Sequence, residues 1–155
     1  MDRRDFLKTV AIAGAAMTIQ RSEAMEVLTQ AVNNTGKPDL VAVMGGEPEV
    51  MFQRAITELG GMKQFVKPGQ KVVVKPNIGW DKVPELAGNT NPKLVAEIVK
   101  QCFAAGAKEV TVFDHTCDDW QKCYKNSGIE AAAKAAGAKV MPAHLESYYR
   151  SVDLP

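Results

Sequence analysis

Lys75, Asp114 and His115 are the side chains in this sequence best suited to catalysis. Lys75 closes the apolar run Val72-Val73-Val74 and is followed by Pro76-Asn77. Asp114 and His115 close a second run, Val110-Thr111-Val112-Phe113, and lead into Thr116-Cys117-Asp118-Asp119. An ammonium at a strand exit binds a phosphate or carboxylate, or acts as a base once desolvated. An imidazole serves as a general base or a metal ligand. His115, Cys117 and Asp118 offer nitrogen, sulfur and oxygen donors of the kind that hold a transition metal, but no signature spacing orders them. Asn77 either hydrogen-bonds a ligand or shapes the turn after Pro76. Gly45, Gly46 and Asn91 each stand just before a helix start, where anions bind readily, and complete the candidates for cofactor contacts. The glycine pair lacks the third glycine of the dinucleotide fingerprint, and no Walker lysine follows it.

An alternation of strands and helices positions these residues. Leu40-Val41-Ala42-Val43-Met44 reads as a first strand, ended by Gly45-Gly46. Pro48 starts a helix that places Met51, Ala55 and Leu59 on one face, and Gly60-Gly61 stops it. Val72 to Val74 is the second strand. A loop over residues 77–91 follows, long for a strand-to-helix connection. Asn91-Pro92 caps and opens the next helix, with Leu94, Val95, Ile98 and Cys102 as its apolar stripe. The third strand leads to Asp114. Ser127 with Glu130 resembles a capping box before an alanine-rich helix, and Lys139-Val140-Met141 is a fourth strand. The fold class predicted is α/β: a partial doubly wound, Rossmann-like parallel sheet of about four strands with helical crossovers. All C-terminal strand ends of such a sheet share one edge, where the ligand crevice lies. Gly45-Gly46, Lys75-Pro76-Asn77 and Asp114-His115 would converge there. Trp80 and Asp81 either line that crevice or cover the sheet edge.

Composition narrows the function classes. The net charge of +1 gives no basic excess for nucleic acid. Three cysteines are too few for a disulfide scaffold and form no zinc-finger spacing. Cys117 and Cys123 lie in one predicted loop, where they pair in an oxidising compartment, act as ligands, or remain two thiols. Cys102 falls on an apolar helix face and reads as a small buried hydrophobe.

The N-terminus has the pattern of an export signal. Arg3-Arg4-Asp5-Phe6-Leu7-Lys8 precedes a short apolar run, and Ser22-Glu23-Ala24 offers a small-residue exit. The paired arginines resemble a twin-arginine signal, which implies the twin-arginine translocation machinery as a partner and a periplasmic or otherwise exported location. The apolar run is too short for a permanent membrane span. The expected organisation is a signal peptide at residues 1–24, a linker at 25–38 and an α/β domain at 39–155. A four-stranded parallel sheet with three helices is thinly covered. The chain is therefore expected to be the N-terminal part of a larger domain, or half of a homo-oligomer.

Three segments carry a resemblance. Val66-Lys67-Pro68-Gly69-Gln70-Lys71 runs into Val72-Val73-Val74-Lys75-Pro76-Asn77; Asn89-Thr90-Asn91-Pro92 opens a helix; Gly106-Ala107-Lys108-Glu109-Val110 leads to Asp114. Across residues 40–141 the sequence resembles the domain-of-unknown-function family numbered 362. The resemblance implies a longer protein, with further strands and a second lysine motif beyond those seen here. Some members carry a ferredoxin-like iron–sulfur segment, and this sequence has no cysteine run of that kind. The leading expectation is an exported enzyme, or enzyme half, that binds a small anion or cofactor at the strand ends. Lys75, Asp114 and His115 would act there in redox or metal-assisted chemistry, with a metal or iron–sulfur group as the cofactor implied. The alternative is a non-catalytic ligand-binding or electron-transfer module, or an inactive truncated fragment.

Overall fold

The computed structural model describes residues 38–153. The expected signal peptide and nearly all of the linker lie outside the described residues. Residues 38–153 belong to one compact unit. Its elements are α1 (Pro48–Glu58), β1 (Lys71–Val74), α2 (Pro92–Ala104), β2 (Glu109–Val112), α3 (Trp120–Asn126), α4 (Ile129–Ala135) and β3 (Lys139–Val140). No described helix is long and apolar enough to cross a membrane.

The sheet is parallel, in the order β1-β2-β3. Its register pairs Val72 with Val110 and sets Val74, Val112 and Val140 side by side. Alternate residues of a strand face opposite sides, so these valines share one face. That face meets α2 and α4, and the core forms there around Val110, Val112, Val95, Val99, Cys102, Ile129 and Ala133. The alanines of α4 let it lie close against α2. Burying such side chains contributes roughly 1.5–3 kcal/mol for each large one. The opposite face carries Lys71, Val73, Glu109, Thr111 and Lys139, with Val73 still 60% exposed.

The helices start and stop for local reasons. Asn91 Oδ1 accepts a hydrogen bond from Lys93 N at 2.9 Å, and Pro92 occupies the first turn of α2. Gly106 then turns the chain at φ +103°, and a Cβ there would meet Pro68 Cα at 3.0 Å. Asp119 Oδ1 caps α3 by accepting from Lys122 N at 3.0 Å.

Among the described residues the sheet has three strands where about four were expected. Residues 40–44 have the apolar content of a strand and form none. Leu40 is 83% and Met44 91% exposed; β-propensity alone supplies no ladder partner. Gly45-Gly46 therefore does not end a strand. A second correction concerns Cys117 and Cys123, expected in one loop: Trp120–Asn126 form α3. Cys123 sits on that helix, buried, while Cys117 is exposed in the loop before it. The expected capping box is also absent. Gly128, at φ +72°, is the N-cap of α4, and Ser127 Oγ accepts from Ile129 N at 3.3 Å. Glu130 instead pairs with Lys134 one turn on, at 2.6 Å.

Candidate functional site

The register brings the three strand exits level. Met141 N donates to Val112 O at 3.0 Å and Phe113 N to Val74 O at 3.4 Å, so the sheet frays only after these residues. Lys75 leaves β1 and Asp114 leaves β2 on the same edge. Their side chains meet: Lys75 Nζ forms an ion pair with Asp114 Oδ1. The pair is asymmetric. The Asp114 side chain is 5% exposed and that of Lys75 62%. Water therefore reaches the ammonium and hardly reaches the carboxylate.

Neighbouring backbone holds Asp114. Its Oδ2 accepts from Ile78 N at 2.7 Å, and Ile78 is fully buried. Its own N–H donates to the Tyr124 hydroxyl at 2.8 Å. That hydroxyl has its proton between the carbonyls of Asp114, at 2.8 Å, and Met141, at 3.1 Å. One phenol thus ties the exits of β2 and β3 together, and one carboxylate ties both to the loop after β1. Burial pushes the Tyr124 hydroxyl pKa above its ordinary value; the donated hydrogen bond from Asp114 works the other way but is weaker.

The other expected residues are placed differently. Asn77 is engaged in its own loop: Oδ1 accepts from Gly79 N at 2.9 Å and Nδ2 donates to Gly88 O at 3.3 Å. Its backbone N and O bond Thr90. Asn89 does the same for the loop tip, accepting from Trp80 N at 3.0 Å and donating to the Trp80 and Lys82 carbonyls. Asn91 caps α2. The long loop over 77–91 is therefore built by three asparagines, and Trp80 stays 45% exposed at its tip. His115 is exposed beside Tyr149, their ring centroids 5.9 Å apart. It forms no hydrogen bond with Asp114 among the described residues.

Cys117 and Asp118 pack on the loop after β1. Both of their amides donate to Gly79 O, at 2.8 and 3.1 Å, and Asp118 Oδ2 accepts from Asp81 N at 3.0 Å. Among the described residues, no three His, Cys, Asp or Glu side chains converge as a metal-ligand set. The trio His115, Cys117 and Asp118 therefore does not fit a metal centre.

Sequence reasoning missed Tyr124 and the aromatic segment after β3. His144 stacks on Trp120 at 4.6 Å with an interplanar angle of 7°, and Tyr148 meets its edge. Tyr149 OH donates to Ala143 O at 2.7 Å. The sequence did hold a signal for α3: Asp119 followed by Trp120, Cys123 and Tyr124 at helical spacing. A groove of about 700 Å³ opens elsewhere, between α1, α2 and α4. Alanines line much of it, and its Lys93 is paired with Glu47 at 2.8 Å, so it offers less chemistry than the strand ends.

Comparison with known proteins gives two matches. A family model described as "Domain of unknown function (DUF362)" matches residues 72–155. The thylakoid-associated protein sll1697 of Synechocystis sp. is 42% identical over 50 residues, which are 32% of this chain and 16% of that protein. By those shares this chain is about half as long as that relative. No solved structure matches.

Proposed function

The chain belongs to the DUF362 family, and from that premise we propose that it binds a small anion over the C-terminal ends of β1 and β2. The observation that carries this reading is the Lys75–Asp114 pair. A buried carboxylate that accepts from Ile78 N, on a residue whose backbone is held by the Tyr124 hydroxyl, holds one face of a largely exposed ammonium. The remaining N–H groups of that ammonium face water and can receive a carboxylate or phosphate oxygen. Asp114 orients Lys75 and limits the charge that the site accepts. His115, exposed on the same edge, offers ring nitrogens that can hydrogen-bond a bound ligand.

This reading extends to the rest of the chain. Residues 1–24 act as a twin-arginine signal, 25–38 as a linker, and the α/β domain works outside the cytoplasm. A relative named for its association with a thylakoid supports a site of action beside a membrane. Between enzyme and binding module, the engaged side chain of Asn77 favours binding as the role of the described residues.

Thermal unfolding with inorganic phosphate and with oxalate tests the site. A ligand that binds only the folded chain raises its stability by about 2.7 kcal/mol at one hundred times its Kd. Stabilisation should disappear in Lys75→Ala and grow in Asp114→Asn, where the ammonium loses its internal counter-charge. Equal stabilisation of wild type and Lys75→Ala would remove the proposal.

A further inference from the structure

Two cysteines converge on one backbone carbonyl, one through its amide and the other through its thiol. Cys117 N–H donates to Gly79 O at 2.8 Å, and Cys123 Sγ–H donates to the same oxygen at 3.6 Å. These distances place the Cys123 sulfur no more than 6.4 Å from the Cys117 amide nitrogen. The Cys117 sulfur flanks the same residue, 3.7 Å from the position a Cβ on Gly79 would take. Both cysteines are free. Cys102, the third, lies in the core on α2.

The two differ in access. Cys117 is exposed in the short loop before α3, and Cys123 is fully buried one turn into that helix. Burial raises the Cys123 pKa, outweighing the hydrogen bond from the Asp118 amide that lowers it. A small oxidant therefore meets Cys117 first, and Cys123 stands behind it. This is the arrangement of an attacking and a resolving thiol. A bridge needs Cα atoms about 4.4–6.8 Å apart, and the exposed Cys117 loop is the side of the pair free to adjust as the bridge closes.

We propose that Cys117 and Cys123 are a reversible dithiol–disulfide pair whose oxidant is a low-molecular-weight disulfide. The Cys117 thiolate attacks one sulfur of that disulfide and expels the other half, which leaves as a thiol carrying the Cys117 proton. Cys123 then attacks Cys117 Sγ and releases the second half as a thiol. Two protein thiols are oxidised, and one external disulfide is reduced to two thiols. The shared carbonyl belongs to the residue after Ile78, whose amide holds Asp114, so the bridge closes directly beside the strand-end site. The pair stands on its own geometry and does not depend on an anion binding there.

Incubating the full chain with oxidised glutathione, followed by peptide mapping without reduction, tests the pair. The expected product is a peptide linking Cys117 to Cys123, two hydrogens lighter than the sum of its parts and restored by dithiothreitol. Cys102→Ser should give the same bridge. Cys117→Ser should give none and leave Cys123 unmodified. Stable glutathione adducts on wild-type Cys117, with Cys123 still open to alkylation after unfolding, would overturn the proposal. So would a bridge through Cys102. Neither result depends on whether Cys123→Ser folds.

Discussion

Replacing Asp114 isolates the contribution of one carboxylate to the strand-end network. In Asp114→Ala the Ile78 amide loses its acceptor, and Ile78 is fully buried. An orphaned buried donor costs about 1–3 kcal/mol, and a hydrogen bond to a charged acceptor is worth about 1.5–3 kcal/mol. The ion pair adds little, because the Lys75 side chain is 62% exposed and water takes over its ammonium. The expected loss is about 3 kcal/mol, most of it from the Ile78 amide. Asp114→Asn retains an acceptor of nearly the same shape and should cost about 1 kcal/mol. Lys75→Ala should cost a similar amount, since Asp114 keeps the Ile78 hydrogen bond.

Equilibrium urea unfolding measures these differences. With a slope of about 1.5 kcal/mol/M, the Asp114→Ala midpoint should fall by about 2 M, with the slope unchanged. Lys75→Ala made in the Asp114→Asn background should cost less than about 0.3 kcal/mol further, because the charge it would lose is already gone. The reasoning fails if Asp114→Ala lies within about 0.5 kcal/mol of wild type, the range of an ordinary surface substitution. It also fails if Lys75→Ala costs as much as Asp114→Ala, which would place the energy in the ion pair and not in the amide.

Tyr124→Phe should cost about 1–3 kcal/mol at neutral pH, since the Asp114 N–H loses its acceptor. The same variant changes the alkaline limb. Burial raises the Tyr124 pKa in the folded chain, so the hydroxyl's contribution is complete below its unfolded pKa of about 10 and is lost as pH rises through the folded value. Wild type should therefore lose stability above about pH 10 more steeply than Tyr124→Phe, as followed by circular dichroism; parallel curves would contradict this. Asn91→Ala should destabilise by about 1 kcal/mol in urea through loss of the α2 cap, and Asn91→Ser should restore most of it.

What the sequence disclosed and what it hid follow from the range of the forces involved. Local chemistry was legible. Valine runs, Asn91-Pro92 and the turn glycines act within a few residues, and β1, α2 and β2 form where they predicted. The meeting of Lys75 with Asp114 was legible only as a shared edge, because parallel alternation fixes the side of the sheet and not the contact. Residues 40–44 misled for the same reason. A strand needs a partner strand, and the pattern of one segment cannot supply it. Tyr124 was hidden in two ways. Its helix has only seven residues, too short to stand out from the loop around it, and its hydroxyl acts on residues 10 and 17 positions away.

Asn77 shows the converse difficulty. A residue following a strand-ending lysine carries the same two polar atoms whether it serves a ligand or its own loop. The choice depends on Gly79 and Gly88, placed by a turn that no periodicity marks. The Lys-Pro-Asn element accordingly divides into two tasks. Lys75 presents a charge at the sheet edge. Asn77 folds the long loop that brings Ile78 N–H to Asp114. A substitution at Asn77 should therefore disturb the site through the loop, and act on stability before it acts on ligand binding.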